Sequence, residues 1–217
     1  MGFSSKPDMT STNSITTIIF DLGGVLIDWN PRHLYKKIFK TEAEITWFLE
    51  NVCTPEWNEQ QDAGRSFEEA TEELVQKFPE HEQAIRAWYN RWQETIRGPI
   101  HETVAILRSI RDSRRYRLYA LTNWSAETFP WALENFEFLH WFEGIVVSGV
   151  EKTRKPFPDF YEILLKRYNI VPENSIFIDD NLKNVEAARS IKIDAIHFQG
   201  AENLREELRR RRITNGE

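Results

Sequence analysis

The stretch Thr16-Thr17-Ile18-Ile19-Phe20-Asp21-Leu22-Gly23-Gly24-Val25-Leu26 constrains this fold more than any other part of the chain. A β-rich apolar run stops at a carboxylate, passes a glycine pair and resumes as apolar residues. Such a run reads as a buried strand. It delivers Asp21 to the edge of a sheet, where open α/β sheets bind their ligands. The glycines let the backbone turn sharply and come close to a ligand. Two readings of Asp21 are open at this point: a functional carboxylate, or a residue that caps the following turn.

Beyond Asp21 the apolar period changes. From Pro31 to Ile96 the signals are helical, with Leu34, Ile38, Ile45, Phe48, Leu49 and Val52 recurring at three- and four-residue steps. Thr41 with Glu44 and Ser66 with Glu69 have capping-box spacing. Thr54-Pro55 suits an N-cap and first helical residue. Ile85, Trp88, Trp92 and Ile96 form a further stripe, and Gly98-Pro99 closes the segment. After it, strands and helices alternate. Strands are expected at 116–121, 144–147, 175–178 and 195–198, and helices around Val104–Ile110, after Ser125, and at 160–168, 182–190 and 202–211. Strands separated by helices imply a parallel sheet covered on both faces. The expected fold is therefore α/β, a doubly wound, Rossmann-like core formed by residues 15–29 and 99–217. A small all-helical cap, residues 30–98, interrupts it after the first strand. Residues 1–14 are polar and small and are expected to be disordered.

Composition narrows the functional classes. The net charge of −6 argues against a nucleic-acid surface. The run Arg209–Arg212 reads as a solvated helix end, where cations suit the helix dipole. The single cysteine, Cys53, excludes an intrachain disulfide and reads as a buried small hydrophobe. No apolar run approaches membrane-spanning length. A cytoplasmic protein, monomeric or weakly dimeric and without a membrane or nucleic-acid partner, is the expectation.

Four expected strand ends carry polar groups: Asp21, then Thr122-Asn123, then the basic loop Lys152-Thr153-Arg154-Lys155-Pro156, then Asp179-Asp180-Asn181. In a parallel sheet these ends share one edge. Neighbouring carboxylates repel unless a cation or proton joins them. Mg²⁺ suits oxygen ligands and needs few protein carboxylates because it keeps several waters. A lysine and a threonine hydroxyl can hold phosphate oxygens, and a carboxylate can itself attack phosphorus.

On these residues the chain resembles the haloacid dehalogenase-like hydrolase superfamily, from about Thr16 to Gly200. The nucleophile motif matches Phe20-Asp21-Leu22-Gly23-Gly24-Val25-Leu26, and the hydroxyl motif Leu121-Thr122-Asn123. The lysine motif matches Lys155-Pro156 with Asp159 and Tyr161. The acidic motif matches Phe177-Ile178-Asp179-Asp180, with Asn184 and Ala187-Ala188 behind it. The resemblance implies that Asp21 is nucleophile and Mg²⁺ ligand, and that Asp180 is the direct acidic ligand. Asp179 would bind through water or orient Lys155, and the Gly23 carbonyl would coordinate the metal. It further implies that Thr122 and the Asn123 backbone hold the phosphoryl group, which Lys155 neutralises. Trp124, directly after the hydroxyl motif, is the candidate aromatic for substrate contact.

One position departs from the pattern. Most phosphatases of the superfamily carry a second Asp two residues after the nucleophile as general acid and base; here it is Gly23. A positioned proton donor contributes ~10²–10⁴-fold. The expected activity is Mg²⁺-dependent hydrolysis of a small phosphomonoester, such as a sugar phosphate, through phospho-Asp21. The alternatives are a 2-haloacid dehalogenase-type hydrolase and a weakly active or non-catalytic binding relative. Asp28 could replace the missing acid or be a hinge carboxylate. Asn30 and Arg32 could reach substrate or be a solvated hinge. Trp47, Trp57, Trp88 and Trp92 read as packing between cap helices. His33, His81, His101, His140 and His197 have no metal-ligand spacing.

Overall fold

The computed structural model describes residues 14–213. Of the expected disordered segment 1–14, all but Ser14 lies outside the described residues. In chain order, β1 (Thr17–Phe20) leads through a tight loop into β2 (Ile27–Trp29). Five helices follow: α1 (Pro31–Tyr35), α2 (Glu42–Asn51), α3 (Pro55–Asp62), α4 (Phe67–Lys77) and α5 (Glu82–Asn90). The chain returns by β3 (Ile96–Pro99) and α6 (His101–Ser113) to β4 (Arg117–Thr122). Then come α7 (Phe129–Asn135), β5 (Gly144–Val147), α8 (Ser148–Glu151), α9 (Pro158–Tyr168), β6 (Ser175–Asp179), α10 (Leu182–Ser190), β7 (Asp194–His197) and α11 (Ala201–Arg210).

β1 is the centre of a parallel five-stranded sheet ordered β5-β4-β1-β6-β7. The strand period of two divides its residues between two apolar layers. Ile18, Phe20, Leu118, Ala120, Ile176 and Ile178 face one cluster, with residues of α6, α7 and α11. Ile19, Tyr119, Leu121 and Phe177 face the other, with residues of α9 and α10. Full burial on both sides explains why β1, β4 and β6 read as unbroken apolar runs. The sheet is the expected doubly wound α/β arrangement.

Helices α1–α5 enclose a third apolar cluster, which includes Tyr35, Phe48, Trp57, Ile85 and Trp88. Their starts follow the local signals. Thr41 and Glu44 form a reciprocal capping box, and Thr54 accepts from Trp57 N ahead of Pro55. Ser66 accepts from Glu69 N at 3.2 Å, and the Glu69 carboxylate lies 3.8 Å from Arg65. Cys53 is buried here.

The expected Ile85–Ile96 stripe needs correction. α5 ends at Asn90, residues 92–95 form a 3₁₀ turn, and Ile96 to Pro99 pair antiparallel with β2. Ile96 and Gly98-Pro99 are thus strand residues. The ladder Ile27–Pro99, Asp28–Gly98 and Trp29–Ile96 outweighs the helical period. Trp92 turns from the other helical tryptophans to the sheet-side cluster, where its ring meets Trp124 and Trp131 at 5.8 and 5.5 Å. Trp57 and Trp88 do pack between helices, whereas Trp47 is half exposed beside His81. Among the described residues no helix is long and apolar enough to cross a membrane.

Candidate active site at the carboxyl edge of the sheet

Parallel pairing brings the ends of β1, β4 and β6 to one edge. β1 hands Asp21 to that edge, where its N–H donates to Ile178 O at 2.8 Å. The chain then folds back on itself, with Leu26 N and Ile27 N both donating to Leu22 O at 2.8 and 2.9 Å. Asp21 Oδ1 accepts from Leu22 N at 2.7 Å and lies 2.9 Å from Lys155 Nζ. Lys155 Nζ donates to Asp179 Oδ2 at 2.6 Å, and both side chains are fully buried.

Asp179 is held from behind. Its Oδ1 accepts from Asn181 N at 2.8 Å and Asn184 Nδ2 at 3.0 Å, and the Asn184 carbonyl accepts from Tyr161 at 2.8 Å. Of the two roles inferred for Asp179, this geometry matches the orientation of Lys155. Asn123 does something its motif did not suggest. Its side chain accepts from Lys155 N at 2.9 Å and donates to Lys155 O at 3.1 Å, so the hydroxyl and lysine segments are stitched together. Thr122 Oγ1 is buried at the same strand end with no hydrogen-bond partner. A buried hydroxyl left unpaired is costly, and it suits a ligand oxygen.

Asp21, Asp179 and Asp180 each offer an oxygen within 4.8 Å of the others, with Asp180 exposed at the rim. Three carboxylates face one ammonium. Burial, against the pull of Lys155 and with the push of Asp179 and Asp180, raises the Asp21 carboxyl to about 8. Burial and Asp179 likewise raise Asp180. Burial works against the Lys155 ammonium, but Asp179 and Asp21 outweigh it and hold its pKa above the usual lysine value. The surplus of negative charge, the oxygen-only donor set and the orphan Thr122 hydroxyl fit a hard divalent cation beside a bound oxyanion.

The glycine pair divides the labour. Gly24 has φ +73°, and a Cβ built there would stand 2.2 Å from Asp180 Oδ2. Gly24→Ala is therefore expected to cost ~1–3 kcal/mol through backbone strain and to displace Asp180. Thermal melting should show the first effect, and a divalent-cation titration a weakened midpoint. At Gly23 a Cβ meets no heavy atom within 4 Å. Gly23 also lines a cleft between the sheet edge and the helical segment. Trp29, Phe67, Tyr89, Trp92 and Trp124 supply its rings, and Asn58, Asp62, Asn123, Ser125 and Thr128 its polar groups. Trp124, the candidate aromatic, lines this cleft.

Other candidates fall elsewhere. Asp28 is not among the cleft residues; His33 Nε2 lies 3.0 Å from its Oδ1, and Arg97 is 3.9 Å away. Asn30 caps α1 by accepting from Arg32 N, and Arg32 is engaged by Thr46 and Glu42. Asp62 had no signal in the sequence beyond a position near the end of a helix.

A central parallel sheet with converging carboxylates, a buried lysine and an orphan hydroxyl at its carboxyl edge defines a Rossmann-like α/β hydrolase. The chain belongs to the haloacid dehalogenase-like hydrolase family, whose model matches residues 15–192. It is 27% identical over 180 residues to the sesquiterpene phosphatase astK of Aspergillus oryzae, covering 83% of this chain and 88% of that one. It is 24% identical over 198 residues to a phosphorylated carbohydrates phosphatase of Thermotoga maritima, covering 83% of each. Among solved structures it is similar to the magnesium complex of a family enzyme, bt-2542, from Bacteroides thetaiotaomicron. The TM-score is 0.64 at 20% identity, over 84% of this chain and 92% of that chain.

Proposed function

We propose that the protein is a Mg²⁺-dependent phosphatase that hydrolyses a small phosphomonoester through an aspartyl-phosphate on Asp21. The observation that carries this reading is the cluster of Asp21, Asp179 and Asp180 around the buried Lys155. Asp21, Asp180 and the Gly23 carbonyl are the groups that would hold Mg²⁺, which when bound neutralises the carboxylates and the phosphoryl oxygens. Asp21 Oδ1 is taken by Leu22 N and Lys155, so attack on phosphorus falls to Oδ2. Lys155 keeps its proton beside the phosphoryl group. The Thr122 hydroxyl and the Asn123 N–H receive the phosphoryl oxygens. The helical segment, residues 30–98, acts as a cap on the core formed by 15–29 and 99–217. It closes the cleft against bulk water. The paired acids Asp179 and Asp180 favour this chemistry over metal-independent dehalogenation.

The five rings that wall the cleft favour an apolar leaving group over a sugar, since pockets are specified by the lining that the ligand must match. The sesquiterpene phosphatase relative supports the same preference. The test is phosphate release from prenyl, benzyl and sugar phosphates, with Mg²⁺ and then with chelator. Release that chelator abolishes, with kcat/KM for the apolar esters at least about tenfold above the sugars (about 1.4 kcal/mol), is the expected result. Chelator-sensitive release led by sugars would keep the phosphatase and discard the apolar preference. Chelator-insensitive halide release from 2-haloacids would establish the dehalogenase instead. No turnover of either class would leave a binding protein.

A further inference from the structure

Gly23 leaves a chemical gap. A departing alkoxide needs a proton, and the water that later attacks phospho-Asp21 must lose one, yet no side chain stands two residues after the nucleophile. The space such a side chain would enter is open, and Gly23 itself lines the cleft under the helical segment. Among the described residues lining that cleft, Asp62 is the one carboxylic acid.

We propose that Asp62, the last residue of α3, supplies from the helical segment the proton that Gly23 cannot give. The proposal rests on the phosphatase reading above. In the first step Asp21 Oδ2 bonds to phosphorus, the bond from phosphorus to the alcohol oxygen breaks, and that oxygen takes the Asp62 proton. In the second, water bonds to phosphorus and gives a proton to the Asp62 carboxylate. The acyl-phosphate P–O bond breaks, returning the Asp21 carboxylate and releasing inorganic phosphate.

Placement supports this role. α3 is tied to the sheet side on both flanks of Asp62. Before it, Glu59 pairs with Arg154 at 2.7 Å, and Arg154 also donates to the carbonyl of Lys155. After it, Gly64 (φ +96°) lies so close to α8 that a Cβ there would stand 3.1 Å from Gly149 O. The N–H of Phe67 donates to Glu127 at 2.8 Å, a third tie between the two parts. Asn58 Nδ2 donates to Asp62 Oδ2 at 3.1 Å. That bond occupies Oδ2 and leaves Oδ1 as the oxygen that carries the proton when the acid is neutral. The charged and titratable groups facing Asp62 are Glu59 on its own helix, Arg154 and Lys155 from the sheet side, and Tyr89 from α5. Burial, opposed by Arg154, reinforced by Glu59 and opposed by Lys155, brings the carboxyl up to about 7. An acid that must give and retake a proton works best near the operating pH.

The test uses kcat/KM of the Mg²⁺-loaded protein for 4-nitrophenyl, phenyl and benzyl phosphate. Asp62→Asn should lower the value for benzyl phosphate ~10²–10³-fold and leave 4-nitrophenyl phosphate within about fivefold, because a stable phenolate departs without a donor. Placing a carboxyl back at the open position, Gly23→Asp in the Asp62→Asn background, should restore benzyl phosphate turnover at least about tenfold. Equal losses with all three esters, or a selective loss that Gly23→Asp leaves untouched, would overturn the proposal. Should Asp62→Asn fail to fold, the unmodified protein decides. A shallow dependence of kcat/KM on leaving-group basicity supports a donor, and a steep one excludes it. Absence of Mg²⁺-dependent release from every ester would remove the phosphatase reading itself, and this proposal with it.

Discussion

Asp21→Asn is expected to lower phosphate release at least ~10⁴-fold, the scale of losing a covalent nucleophile, while the metal-free protein becomes more stable. The two effects share a cause. Three carboxylates crowd one ammonium, and the Asp21 carboxyl is raised from 3.8 to about 8, chiefly by burial. Between those values the unfolded chain has released a proton that the native protein still holds. Native stability therefore falls as pH rises from about 4 to about 8. Asparagine keeps the shape and removes the charge, while Lys155 retains Asp179 at 2.6 Å. The expected gain at pH 8 is ~1–3 kcal/mol, or roughly 2–4 °C of melting temperature per kcal/mol for a chain of this size. Saturating Mg²⁺ should reverse the order, since ligand that binds only the native state stabilises it. A variant that kept turnover would remove Asp21 from the chemistry. One that melted lower without metal would contradict the electrostatic account.

Lys155→Met should do the opposite to stability, with a loss of ~3–5 kcal/mol at neutral pH. That is the range for removing one partner of a buried ion pair and stranding the other. Here the stranded partner is Asp179, which is completely buried, since Asp21, raised to about 8, holds its proton at neutral pH. The wild-type lysine pKa lies above its ordinary 10.5. Its contribution is therefore fully present below about that pH and is lost only as pH rises through the raised value. Urea unfolding at two pH values measures both parts. A neutral-pH loss below about 1 kcal/mol, typical of exposed pairs, would mean that Lys155 is not the counter-charge of this cluster. Phosphate release should also collapse, because the substitution removes the ammonium that faces Asp21.

The sign of that second effect depends on tertiary contacts as well as on sequence. The motif around Lys155 named the residue, but burial and the 2.6 and 2.9 Å contacts to two carboxylates decide whether its removal helps or harms. The sheet was legible because the middles of β1, β4 and β6 are buried on both faces and so carry apolar residues in succession. Helix starts at Thr41 and Thr54 were legible because capping is local chemistry. The end of the helical segment differs from its local pattern. Ile96 continues a helical stripe in sequence, yet a ladder to Ile27–Trp29, a partner more than sixty positions away, turns it into strand. Trp92 likewise answers to Trp124 and Trp131 rather than to Trp88 in the preceding helix.

The amino-acid order by itself determined the α/β architecture, the polar strand ends Asp21, Thr122, Asp179 and Asp180, and the basic loop with Lys155, because period, caps and turns are written within a few residues. It also exposed the vacancy at Gly23. Only the tertiary structure decided that Asp179 grips Lys155, that Asn123 binds the lysine backbone, that Asp28 turns to His33, and that Asp62 shares the cleft with Gly23. Those are contacts between segments far apart in the chain, and their energies depend on burial and charge that exist only once the segments meet.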